Sequence, residues 1–124
     1  NNIDGKDITP LLTGKSKRSP HEAFYYYYGP QLQAVRSGRW KLVLGLEKKM
    51  VTLTGKTEPG KPALYDLDRD AAETENQFDK HPNVVSRLLA LADQARATLG
   101  DVDRQGSEQR PVGRAKDPVP QRVR

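Results

Sequence analysis

The sequence contains no cysteine, which removes disulfides, thiolate nucleophiles and cysteine-based metal sites together. Histidine is nearly as scarce: His21 and His81 are the only two. No His-x-x-x-His or His-Glu-x-x-His spacing is present, which excludes zinc chemistry of that kind. No serine stands in a Gly-x-Ser-x-Gly elbow. Gly5, Gly14, Gly29 and Gly38 are separated from one another and form no phosphate-cradling loop. No apolar run approaches the roughly 18 residues that a membrane-spanning helix needs. The chain starts at Asn1 with neither an initiating Met nor a signal peptide, and it reads as a piece of a longer polypeptide.

Apolar residues are also few. Only 35% of the 124 residues are hydrophobic while 30% are charged, with 10 Gly and 9 Pro. One modest core is the expectation, with part of the chain lying outside it. The net charge of +5 and pI near 9.6 admit nucleic acid or acidic glycans as partners. Lys and Arg do not gather into a tract, however, so a solubilising surface is the simpler reading.

What is present is unusual in one place. Residues 24 to 44 read FYYYYGPQLQAVRSGRWKLVL, with four consecutive tyrosines ahead of a basic hairpin. Ala23 to Tyr28 has strand propensity. A strand with one face in water alternates in polarity, so an unbroken aromatic run predicts that both faces meet something. Gly29-Pro30 turns the chain. Leu32–Arg36 and Arg39–Leu44 then read as two strands joined by Ser37-Gly38. That register sets Val35 opposite Trp40, Gln33 opposite Leu42 and Arg36 opposite Arg39. Val35, Trp40, Leu42 and Leu44 would share one face.

Around this centre the rest is coarser. Residues 1–22 read mostly as loop, with Ile8, Leu11 and Leu12 forming one short apolar turn able to dock on a neighbour. Residues 45–62 form a long exposed loop with a possible strand extension at Val51 to Leu53. Ala63 to Leu67 is a further strand, followed by acidic, turn-prone sequence. Asp66, Asp68, Asp70, Glu73 and Glu75 lack the glycine and closing glutamate of an EF-hand and read as solvated turn acids. Pro82 opens a helix, with Val85, Leu88, Leu89, Ala92, Ala95 and Leu99 as its apolar stripe and Gly100 as its stop. Residues 101–124 are polar, basic and aperiodic, an extended or disordered tail. The sum is an α+β fold: a small antiparallel sheet of about four strands against one long C-terminal amphipathic helix.

Three segments, in this order, carry a resemblance: DGKDITPLLTGKSKRSP from Asp4, FYYYYGPQLQAVRSGRWKLVL from Phe24 and ALYDLDRDAAETENQ from Ala63. Together with the helix they resemble the C-terminal part of type I sulfatases, in the arylsulfatase A-like branch of the alkaline-phosphatase superfamily. The likeness covers about Ile3 to Gly100. Ala71 stands where many members have Pro, and Gln77 where many have Leu, which affects turn rigidity more than identity.

The resemblance implies a layout of an opening segment 1–22, a subdomain 23–100 and a tail 101–124. It implies a partner too, the N-terminal catalytic sulfatase domain of the same parent chain, on which this subdomain packs. Such a domain hydrolyses a sulfate ester with a formylglycine nucleophile and calcium. Neither group can be assigned here, because there is no Cys and the Ser19-Pro20 pair lacks the Cys/Ser-x-Pro-x-Arg spacing. The expectation is therefore no catalytic and no metal residue in this chain, which alone would be inactive. Tyr25, Tyr26, Tyr27 and Arg36 are the candidates for interdomain contact, and Tyr28, Gln31 and Gln33 for walling a sulfated substrate's cleft. The resemblance further implies a periplasmic or secreted parent, while the scattered Lys and Arg and the lack of a long apolar run argue against nucleic acid and membrane as partners. Two alternatives stay open: a free-standing basic module for nucleic acid or sulfated glycan, and a free-standing interaction domain.

Overall fold

The computed structural model describes residues 5–45 and 60–109. A single turn of helix, α1 (Thr9–Leu12), precedes a four-stranded antiparallel sheet of β1 (Phe24–Tyr28), β2 (Gln31–Ser37), β3 (Trp40–Val43) and β4 (Ala63–Asp66). The strands lie side by side in chain order. After a 3₁₀ turn at Phe78–Lys80, helix α2 (Pro82–Thr98) packs across β2 and β3. A two-stranded hairpin of β5 (Gly100–Asp101) and β6 (Arg104–Gln105) follows. This is the α+β arrangement of the sequence reading.

The core lies between one face of the sheet and α2. Leu32, Val35, Leu42, Leu64 and Leu88 are its fully buried side chains. Each Leu contributes about 1.5–3 kcal/mol through burial. Leu44, Val85, Leu91, Ala92 and Ala95 complete the cluster, and Tyr25, Tyr27 and Trp40 pack against it.

The structure bears on four expectations. The first concerns the β2–β3 turn, which is Gly38-Arg39, one residue later than read. Ser37 therefore pairs with Trp40, Arg36 with Lys41 and Val35 with Leu42. Gly38 has φ +58°, and Glu73 is the only non-glycine with positive φ among the described residues. The glycine thus occupies the first central position, as a type II′ turn requires, whereas the Ser-Gly reading had put it second. Arg36 then faces Lys41, and the juxtaposition of Arg36 with Arg39 does not arise. Val35, Leu42 and Leu44 do share the core face.

The second correction concerns the helix stripe. Leu91 faces the core, whereas Leu89 and Leu99 are 40% and 39% exposed. Val85, Leu88, Ala92 and Ala95 are buried as read. The stop also stands, since Gly100 has φ +97°, the left-handed conformation of a helix C-terminus.

The third concerns the tyrosine strand, whose burial alternates among the described residues. Tyr25 and Tyr27 are half-buried, while Phe24, Tyr26 and Tyr28 are exposed. The fourth concerns the two ends. Helix α1 buries none of its residues, and Leu12 is 78% exposed. The start of the polar tail is an ordered hairpin, because β5 and β6 pair. The reading of a strand at Val51 to Leu53 falls outside the described residues.

Candidate functional site

Strands β1 and β2 are joined by Gly29-Pro30, and the sequence-read cleft residues cluster around that turn. Tyr28 ends β1 and pairs with Gln31, the first residue of β2. Between the Tyr26–Ala34 and Tyr27–Leu32 pairs the register slips by one residue, which makes Gln33 the extra residue of a β-bulge. Bulges re-aim side chains and recur beside functional sites. The structure thus brings Tyr28 and Gln31 together across the first pair of the hairpin, and places Gln33 two residues on, in the bulge. Gln31 is 9% exposed. Its Oε1, and the Nε2 of Gln33, are buried with no hydrogen-bond partner within the described residues. Unpaired buried amide atoms are uncommon and costly.

The turn is tied to the far end of α2. The Tyr27 hydroxyl donates to the Gly100 carbonyl at 2.9 Å. Asp101 Oδ1 accepts from the Leu32 amide at 3.2 Å and from the Val102 amide at 2.8 Å. Asp101 Oδ2 pairs with Arg96 Nε at 2.9 Å, and Arg96 Nη1 reaches Asp93 at 2.9 Å. Burial works against the Arg96 charge, but the bonds to Asp101 and Asp93 outweigh it and raise its pKa. Sequence reasoning missed Asp101, because no local signal marks a contact 69 residues away.

The four interdomain candidates divide between the faces. Tyr25 and Tyr27 pack on the chain's own core. Burial raises both phenols above the ordinary 10.0, helped by Glu22 for Tyr25 and Asp101 for Tyr27. Tyr26 lies on the opposite, outward face with Phe24 and Tyr28. Arg36 is on that face as well, opposite Phe24 and Lys41, and its Nε donates to the Gly38 carbonyl at 3.1 Å. Lys41 Nζ sits 5.2 Å from the Tyr26 ring centroid and 2.6 Å from Glu73 Oε1. By register Tyr65, Val43, Ala34 and Ala63 share this face. An antiparallel sheet with one solvated face ordinarily turns polar residues outward. Here the outward row is largely aromatic and aliphatic.

The acids between β4 and α2 are engaged in building the loop. Asp66 pairs with Arg39 and accepts from the Asp68 amide. Asp70 accepts from the amides of Thr74 and Glu75 at 2.7 Å each and from the Thr74 hydroxyl at 3.0 Å. Those bonds, Glu75's first, hold its carboxyl below the usual value. Glu73 pairs with Lys41 and Glu75 with Lys80. No group of three or more metal-ligating side chains converges among the described residues. Asp66, Asp70, Glu73 and Glu75 are thus already engaged by amides, hydroxyls or cations.

Trp40 is on the core side of the sheet. Its ring centroid lies 4.7 Å from that of His81, and Arg39 covers it at 5.1 Å. It is therefore not presented alongside Tyr26 and Tyr28. Among the described residues, no helix is long and apolar enough to cross a membrane.

Comparison with known proteins adds four findings. The family model for the C-terminal region of aryl-sulfatase matches residues 19–118. Steryl-sulfatase of Mus musculus is 33% identical, over 78% of this chain and 19% of that protein. Arylsulfatase D of Homo sapiens is 31% identical, over 85% of this chain and 22% of that protein. A solved structure from work on glycosaminoglycan metabolism by Bacteroides thetaiotaomicron superposes with a TM-score of 0.59 at 29% identity. That superposition covers 75% of this chain and 20% of the other. The chain thus spans about a fifth of the length of these relatives.

Proposed function

The chain belongs to the family of aryl-sulfatase C-terminal regions, and from that premise we propose that it is the non-catalytic subdomain of a sulfuric ester hydrolase. It packs on an N-terminal catalytic domain of the same parent chain, and its β1–β2 turn walls the cleft for a sulfated substrate. The family match over residues 19–118 carries the assignment. The docking role is supported by the outward row of Phe24, Tyr26 and Tyr28, 49%, 41% and 36% exposed beside the ion-paired Lys41. Tyr26 and Arg36 are the contact residues on this face. Tyr25 and Tyr27 support it from the core side.

In this reading the nucleophile and calcium belong to the remaining polypeptide, where an aldehyde hydrate and a cation would supply the attacking oxygen and charge neutralisation. The residues here bind and orient. Tyr28 offers a ring and a hydroxyl at the turn, and Gln31 stands across from it with an amide oxygen that has no donor among the described residues. Gln33, in the bulge, completes the wall. An exported parent protein acting on a sulfate ester follows from the same reading, with nucleic acid as neither substrate nor partner.

The test uses the sulfatase polypeptide that contains this region, with p-nitrophenyl sulfate as probe. Tyr28→Ala and Gln31→Ala are expected to raise KM severalfold while kcat stays within about twofold, the pattern of lost substrate binding. The chain by itself is expected to show no hydrolysis above buffer. Turnover by the chain alone would sink the non-catalytic reading, and unchanged KM in both variants would sink the wall.

A further inference from the structure

The β1–β2 turn leaves a problem that its own strands do not solve. Leu32 is fully buried, so its amide cannot be satisfied by water. The bulge at Gln33 interrupts the ladder next to it. The Leu32 amide instead donates to Asp101 Oδ1, a side chain just beyond the far end of α2. The other oxygen of that carboxylate is held by Arg96, and the neighbouring carbonyl, Gly100, takes the Tyr27 hydroxyl. Leu32 and Tyr27 are paired across β1 and β2. Two bonds from consecutive residues of β5 therefore grip both arms of the hairpin one pair below Tyr28 and Gln31. Asp101 is itself only 12% exposed, which keeps both bonds out of competition with solvent.

We propose that Asp101, with Tyr27, is a positioning residue for substrate binding: its carboxylate clasps the base of the β1–β2 turn to the end of α2 and so fixes where Tyr28 and Gln31 stand. This rests on the reading of that turn as a cleft wall. A loose turn would spread these two groups over several positions, and apparent affinity falls in proportion to the fraction of molecules that hold the binding-competent one. The hairpin that follows Gly100 holds the Asp101 carboxylate where it can reach β2, with Oδ1 also accepting from the Val102 amide.

The experiment compares Asp101→Ala, Asp101→Asn, Tyr27→Phe and Tyr28→Ala in the sulfatase polypeptide that contains this region. KM and kcat for p-nitrophenyl sulfate are measured well below each variant's melting temperature. Asp101→Ala is expected to raise KM about tenfold with kcat within about twofold. Asp101→Asn keeps one acceptor oxygen for the Leu32 amide and is expected to recover part of that loss. An unchanged KM in Asp101→Ala, with KM raised in Tyr28→Ala, overturns the clasp while the wall stands. Unchanged KM in both overturns the wall and the clasp with it. A fall in kcat without a change in KM also overturns the proposal. If Asp101→Ala does not fold, Asp101→Asn and Tyr27→Phe decide: raised KM in either supports the clasp, and wild-type values in both overturn it.

Discussion

Tyr25 and Tyr27 hold their phenols against the core, and burial raises both above 10.0. A raised phenol stays neutral in the fold at a pH where the unfolded chain has begun to ionise. Its contribution is therefore complete below pH 10 and is lost as pH rises through the folded value. Urea unfolding at increasing pH is expected to show stability level to about pH 9.5 and then falling. In Tyr27→Phe that fall should be shallower. A fall of equal steepness would mean that Tyr27 does not carry the effect. Asp70 has the opposite sign. Its carboxyl is lowered by bonds from Glu75 and Thr74, so its contribution is present above the ordinary carboxylate range and is lost as pH drops through the folded value. It lies at the surface, where solvent keeps that contribution small.

Helix α2 carries its packing on one arc, and neighbouring leucines on it differ sharply. Leu88 is fully buried, while the adjacent Leu89 is 40% exposed. Leu88→Ala is expected to cost about 2–5 kcal/mol, through lost transfer energy and the cavity left behind. Leu89→Ala should stay within about 0.5 kcal/mol. Chemical denaturation of both variants checks the difference, and comparable losses would show that the helix is rotated from this placement. The β2–β3 hairpin has its own sensitive position. Gly38 at φ +58° meets no atom that a Cβ would strike, so Gly38→Ala tests backbone strain alone. A loss of about 1 kcal/mol is expected, measured in the same way.

At the scale of the whole molecule, the sheet has one face covered and one face open among the described residues. The inner face of the sheet is closed by α2, and the outer face shows aromatics around a paired Lys41. Tyr26 sits at the middle of that outer face. In the chain alone, Tyr26→Ala should change stability by less than about 1 kcal/mol, since the ring is partly exposed. In the sulfatase polypeptide that contains this region, the proposed docking would make the same change lower the melting temperature by several degrees more than it does in the chain alone. Equal shifts in both contexts would argue against docking through this face.

The local part of this architecture was legible in the sequence. The strand propensity of Phe24 to Tyr28, the turn at Gly29-Pro30, the start at Pro82 and the stop at Gly100 are set by neighbouring residues, so a linear reading reaches them. Ordered motifs over about a hundred residues made the family resemblance legible too. Tertiary structure decided the rest. Leu89 and Leu91 both border the helical stripe, and only the angle at which α2 crosses the sheet selects Leu91. The turn glycine in the first or second position satisfies different two-residue hairpins, and only the pairing of Ser37 with Trp40 chooses between them. The division of the tyrosines between two faces, the bulge at Gln33 and the grip of Asp101 on Leu32 depend on contacts across as many as 73 residues. A sequence specifies such contacts only through the fold, because the groups that meet share no local pattern until the chain has closed.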